Sequence, residues 1–490
     1  MSIIRICWKL VLLIFLACSA WASPISATIK RNASPSSSVN TTATGWITQP
    51  VDHFGANNRT WRQQYMVNAE HYQPGGPIYL LTPGESGVSS MYTEETHFVS
   101  LASKTNGLMV AIEHRFFGNS NPMPDLSGAS LKYLTLENTL EDFAHFIRVA
   151  KANSSSLFET AVSANSTIVF VGGSYGGALA AWMRAKYPDL VTAAWASSAP
   201  VFNYIDFYQL DQALGRHLTA RRCGEAFAQG VKDLDAILLS NNNSELDSVR
   251  KMFSMTADTA QDIAAGVTSA ITSTVNLPVM LNGDALDQSV CSFFQDTLAP
   301  LTAYSMAVSA AVHGYAMPQA IRPYRSMVMH GRETSVKNQG NVSLNQPFRS
   351  WYYICCTWFS NWQVAPPKDS NITAYRSQLV DREYWQDGCQ SSFGSNVRPL
   401  TDVSKHNRKW LGMLEGVTNV YYTAGELDPW RDTTVATVDG TLLNNTSSAP
   451  IFVMSGATHT QDMQPDTIYD LNSVRMAKEM GDSLIKLWIA

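Results

Sequence analysis

The chain has 490 residues, 35 basic and 40 acidic side chains, and a formal net charge of −5 at pH 7. A mildly acidic protein without basic blocks gives no footing for nucleic acid. With 13 Trp and 10% aromatic residues it can build a large core, and its length suits two or three domains or one α/β domain with a big insertion.

Residues 1–22 read as a secretory signal peptide: Arg5 and Lys9 precede the apolar run Leu10 to Ala17, and Ala20-Trp21-Ala22 offers small residues at a cleavage site. The run is too short to cross a bilayer, and no later segment reaches about 18 uninterrupted apolar residues. No membrane span is therefore expected, and cleavage takes the net charge from −5 to −7. The expected location is secreted, with a vacuole or lysosome as the alternative. Residues 23–45, rich in Ser, Thr and Asn, read as a linker or short propeptide, with order starting near Trp46. Asn-x-Ser/Thr triplets begin at Asn32, Asn40, Asn58, Asn153, Asn165, Asn242, Asn341, Asn371, Asn444 and Asn445, a density that fits a glycosylated surface.

Beyond Trp46, apolar runs alternate with helical patterns. "GGPIYLLTPGESG", "GLMVAIEHRFFG", "STIVFVGG" and "VTAAWASSAP" read as buried strands, and "LTLENTLEDFAHFIRVAKA" carries apolar residues at helical spacing. Buried strands separated by helices indicate a parallel, doubly wound sheet. The pattern stops near Asn203 and gives way to about two hundred mostly helical residues, then returns at "VTNVYYTAGELDPW" and "APIFVMSGATH". A last amphipathic helix is expected from Thr467 to Leu487. The organisation is one α/β core in two parts, 46–202 and 411–490, interrupted by a helical cap over 203–410. Cys223, Cys291, Cys355, Cys356 and Cys389 remain after cleavage, which implies two disulfides and one free thiol with the pairing open.

Gly172-Gly173-Ser174-Tyr175-Gly176 fits the G-x-S-x-G elbow, in which a sharp strand-to-helix turn presents a serine hydroxyl. Serine needs a base, and the base an orienting acid. Asp428 in "YTAGELDPW" and His459 in "VMSGATHTQD" follow in the chain order nucleophile, acid, histidine, each just beyond an apolar strand. Asp432 and Asp462 compete for the acid's place; His313, His330 and His406 stand in cap-like or linking sequence. Oxyanion donors are expected from the backbone N–H of Tyr175 and, in the loop "TPGESG", of Glu85, with Gly84 and Ser86 alongside. No H-E-x-x-H, P-loop or G-x-G-x-x-G motif is present, so neither metal nor cofactor is expected.

Several of these stretches resemble the family of secreted and lysosomal serine peptidases that includes lysosomal prolyl carboxypeptidase, lysosomal dipeptidyl peptidase and thymus-specific serine protease. "QPVDHFGANNRTWRQQY", "AIEHRFFGNS", "GGSYGGALAAWMRAKYPDLVTAAWASSAP", "GELDPW" and "GATH" carry the likeness, which runs over most of the mature chain. It implies an α/β hydrolase with a helical cap, catalytic roles for Ser174, Asp428 and His459, and peptide substrates cut after proline. Where the family has Cys-Thr-Glu, this chain reads Cys356-Thr357-Trp358, and Thr460 follows the histidine where Cys or His is common; both departures bear on subsite preference. The aromatic cluster Trp351, Tyr352, Tyr353, Trp358 and Trp362 would suit a proline ring or pack the cap. The expected function is a serine peptidase acting after proline, at a chain end or internally. An esterase or lipase on the same core, or a non-catalytic binding homologue, is the alternative, and a homodimer is a further option.

Overall fold

In the computed structural model, the middle of the sheet consists of apolar runs buried on both faces: β3 (Ile78–Leu81), β4 (Leu108–Ile112), β5 (Ile168–Gly173), β6 (Ala193–Ser197) and β7 (Val420–Gly425). Such strands read as continuous hydrophobic sequence because helices cover both sides. With β1 (Thr42–Pro50), β2 (Thr60–Asn68) and β8 (Ile451–Met454) they form an eight-stranded sheet in the order β1-β2-β4-β3-β5-β6-β7-β8. From β4 to β8 all neighbours are parallel, while β1, β2 and β4 pair antiparallel. This is the α/β-hydrolase architecture. The structure describes residues 42–490 except 56, 153–157, 159–161, 164, 221, 241, 254–258, 277–290, 295–298, 314–341 and 469. The signal peptide, most of the linker, His330 and the sequons at Asn32, Asn40, Asn153 and Asn341 lie outside the described residues.

Two expected boundaries move. Strand β1 already includes Thr42, inside the stretch read as linker, because Thr42 and Thr44 pair with Asn68 and Met66; β-branched threonines suit a strand as well as a loop. The last helix runs Asn472–Ile489, later than expected. Ahead of it the Thr467 hydroxyl donates to Asp470 Oδ1 at 2.7 Å.

Helices α1 (His97–Thr105), α2 (Leu136–Ala152) and α3 (Tyr175–Lys186) flank the sheet. One face packs on Leu80, Val110 and Phe170, the other on Leu81, Val169 and Trp195. Between β6 and β7 lies the helical insertion. Its first part has a core of its own, with Phe227 edge-on to Tyr304 at 4.9 Å and a Cys223–Cys291 disulfide. Its second part, holding the Cys356–Cys389 disulfide and the buried thiol Cys355, packs into the main core. Reciprocal bonds close its neck: Asn203 N–H donates to Asn407 Oδ1 and Asn407 Nδ2 to the Asn203 carbonyl, both at 2.9 Å.

Behind the sheet, Arg115 holds Asp142 in a fork, Nε to Oδ2 at 2.6 Å and Nη2 to Oδ1 at 2.8 Å, and both side chains are fully buried. Arg115 Nη1 also donates to the carbonyls of Val51 and Tyr133, and His53 Nε2 meets Asp142 Oδ1 at 2.7 Å. The cluster fastens the β1–β2 connection to α2. Burial pushes the Asp142 carboxyl up, but the Arg115 guanidinium overrides it and leaves the pKa below its ordinary value. Removing one member strands the other charge. Asp142→Ala is therefore expected to destabilise the protein by about 3–5 kcal/mol in denaturant unfolding.

Candidate active site

β5 ends on Gly173, and Ser174 follows with φ 55° and ψ −132° before α3 begins. A positive φ is strained for a residue with a Cβ, and such strain persists only where the surroundings over-determine it. Here they do: the Ser174 N–H donates to the Ser197 carbonyl at 2.9 Å, and the Ser174 carbonyl accepts from Gly177 N–H. Glycine is demanded at 176, where a Cβ would lie 2.5 Å from the Thr82 carbonyl oxygen. It is demanded again at 84, where φ is +76° and a Cβ would lie 2.9 Å from Gly176 N. The loop after β3 is thus pressed against the serine turn, backbone to backbone.

His459 comes from the loop after β8 and Asp428 from the turn after β7. The His459 Nδ1 lies 2.9 Å from both carboxylate oxygens of Asp428, and Asp428 Oδ1 also accepts from Trp430 N–H at 2.8 Å. Burial works against the imidazolium, but the Asp428 carboxylate prevails and holds the His459 pKa above its ordinary value. The two competing acids are engaged elsewhere. Asp462 accepts from Trp195 Nε1, Ser197 Oγ and Thr423 Oγ1 at 2.5–2.8 Å, and Asp432 Oδ1 from Val438 N–H. Thr460, beside the histidine, faces Gly173: a Cβ there would meet its Cγ2 at 2.9 Å. The loop that carries His459 therefore packs against the serine turn. Among the described residues the Ser174 Oγ makes no hydrogen bond, as is common for catalytic groups without substrate.

Ser174 opens onto a cleft of about 180 Å³ lined by Leu81, Pro83, Glu85, Tyr92, Met463 and Pro465, among others. The serine carboxypeptidase S28 model matches residues 49–481. The chain belongs to that family. This S28 protein is a serine-type peptidase. It is 25% identical to serine protease vicPb of Bipolaris victoriae over 500 residues, covering 95% of this chain and 92% of the relative. It is 26% identical to the thymus-specific serine protease of Mus musculus, covering 91% and 87%. With the lysosomal Pro-X carboxypeptidase of Bos taurus it shares 25% identity, covering 91% and 87%.

The remaining expected residues of this S28 peptidase fall in varied places. Tyr175 opens α3, where the first backbone N–H groups have no acceptor within the helix. The Glu85 N–H is already engaged, donating to the Pro83 carbonyl at 3.1 Å across its own turn. Trp351 and Trp358 pack against the Tyr175 ring at 5.4 and 5.8 Å, and Trp358 stacks on His406. Trp362 is buried and stacks on Trp385. None of the three lines the Ser174 cleft. His406 is half-buried, and its desolvation pushes its pKa down to about 4. Asn58, Asn165, Asn242, Asn371 and Asn444 are exposed.

Missed from the sequence were Tyr92, Met463 and the side chain of Glu85. The signal was present for Glu85, an acid in an otherwise apolar and glycine-rich loop; the other two carry none. In this S28 peptidase Asp428→Asn removes the charge that offsets burial. The His459 pKa is then expected to drop below its ordinary value, as read by NMR titration of the imidazole.

Proposed function

We propose that this peptidase works through an acyl-enzyme on Ser174, with His459 as general base and Asp428 as its orienting acid, and that it cuts on the carboxyl side of proline. The observation that carries the reading is the His459–Asp428 contact at 2.9 Å, beside a serine set in a strained turn at a strand end. Asp428 accepts a hydrogen bond from Nδ1–H and stays ionised, which leaves the Nε2 lone pair directed away from the acid, toward the crevice. As Ser174 Oγ bonds to the scissile carbonyl carbon, its proton passes to His459. The carbonyl oxygen becomes an oxyanion, for which the Tyr175 N–H at the helix start is the natural donor. His459 then returns the proton to the leaving amine as the C–N bond breaks, and a water repeats the sequence on the ester. The second oxyanion donor comes from the 84–86 turn, which packs directly on the elbow.

The proline preference is supported by the apolar lining of the cleft and by a relative named for Pro-X bonds. Secretion, or delivery to a lysosome or vacuole, is supported by the signal-like N-terminus, the two disulfides and the lysosomal relative. The insertion over 203–410 acts as the cap, and its blocking of one end of the cleft decides between terminal and internal cleavage.

The test incubates the purified protein and its Ser174→Ala variant with peptides carrying terminal, penultimate and internal prolines, with products read by mass spectrometry. The variant is expected to lose at least about 10³-fold in turnover while keeping its melting temperature. Serine-dependent cuts only at ester substrates, or equal turnover by both proteins, would overturn the reading.

A further inference from the structure

The cleft beside Ser174 is lined by two carboxyl side chains, Glu85 and Glu95, and by no lysine or arginine. Glu85 stands on the turn that packs against the serine elbow. The residue keeps some surface toward the cleft, but its Oε2 is sealed from solvent and has no hydrogen-bond partner. A carboxylate oxygen so placed lacks both the water and the donors that stabilise its charge. The groups around it come from every neighbouring element. Tyr92, whose hydroxyl meets Ser86 Oγ at 3.0 Å, follows in the chain; Tyr175 stands on α3 with His114 Nε2 on its hydroxyl. The Cys355 thiol comes from the insertion, and Glu113 lies under Gly87, its carboxylate already bonded by Val88 and Asn119 N–H. His459, paired with Asp428, is near enough for its charge to act on Glu85. Burial pushes the tyrosines and the thiol up, and holds His114 down to about 4, so His459 is the basic group among them whose protonation is coupled to that of Glu85.

We propose that Glu85 is a positioning residue that works as a neutral acid, holding a proton beside the reacting centre so that His459 stays free to act as base. The inference rests on the roles of Ser174 and His459 given above. With both groups protonated, the base is blocked. With one proton between them, its place on Glu85 frees the base and removes the negative charge facing the developing oxyanion, whereas its place on His459 makes an ion pair and blocks the base. With neither protonated, a buried carboxylate opposes that oxyanion. Burial supports the middle state by pushing the Glu85 pKa up to about 7, in spite of the neighbouring imidazole. The two groups titrate as a coupled pair.

The test compares the full protein with Glu85→Gln, which keeps the shape and removes the charge. The rate at which a fluorophosphonate probe labels Ser174 is followed from about pH 4 to 9, each profile scaled to its own maximum. In the wild type the rate is expected to fall about tenfold per pH unit on the alkaline side, and in the variant that fall should vanish. Melting temperature gives a second readout. The Glu85 pKa is raised on folding, from 4.5 to about 7, so its charge costs nothing below the lower value and destabilises increasingly up to the upper one. The variant should therefore gain on the wild type across that window and keep a constant lead above it. An unchanged alkaline limb in the variant, or a melting difference that is flat with pH, overturns the proposal. Failure of the probe to label Ser174 in the wild type overturns the nucleophile assignment instead, and the melting curves still decide whether Glu85 holds the proton.

Discussion

The Asp462 carboxylate is fully buried behind the strand ends, where it takes hydrogen bonds from Trp195 and Ser197 of β6 and from Thr423 of β7. It lies on the loop that carries His459, so these bonds fix the position of the imidazole relative to the sheet. The same strand end holds the serine turn, because the Ser197 carbonyl accepts the Ser174 N–H, and Ser198 Oγ accepts the Thr460 N–H. The serine turn and the His459 loop are thus referred to two adjacent residues, the last of β6 and the one after it. A misplacement of about 1 Å in such a site costs about 10²-fold in rate. Three bonds to one carboxylate are a direct way to prevent it, since charge-assisted bonds are stronger than neutral ones.

The stretch Glu113-His114-Arg115 does its work at a distance from the cleft. Glu113 gathers the N–H groups of two loops, His114 meets the Tyr175 hydroxyl, and Arg115 forks Asp142 while reaching three further carbonyls. Each of the three is nearly or fully buried. Polar side chains at such depth carry desolvation costs that only complete pairing offsets. The triplet therefore builds the platform on which the elbow and the loop after β3 rest, and the chemistry stays with residues delivered by other strands.

The turn at Ser174 and the strand-end places of Asp428 and His459 were legible because each follows an apolar run, and because the backbone contacts at Gly176 and Gly84 leave a glycine signature in the sequence. The antiparallel pair β1–β2 was not. Its inward positions include Gln49 and Gln63, which are buried by bonding to one another at 2.7 Å and to the carbonyls of Asp142 and Glu113. Polar residues at core positions hide the alternation that marks a half-buried strand. The tryptophans of the insertion illustrate a different limit. Their chemistry suits a proline ring, but whether an aromatic side chain meets substrate or Tyr175 depends on the crossing of distant segments. Glu85 was weighed for its backbone, and the structure turns the interest to its side chain. Composition does not reveal whether a carboxyl oxygen ends up sealed.

The neck of the insertion links its first residues to its last ones. Asn203 and Asn407 bond reciprocally, Asn203 Nδ2 reaches the Trp358 carbonyl, and Tyr204 N–H donates to Asn361 Oδ1. The first part of the insertion, whose described residues have a core of their own, is to the sheet a loop attached at its ends. The entropic cost of closing a loop grows only with the logarithm of its length. An evolving gene can therefore lengthen, shorten or reshape this segment at little cost to the strands that carry Ser174, Asp428 and His459. The insertion can drift while the ends of the strands stay fixed, as if one engine accepted interchangeable intakes.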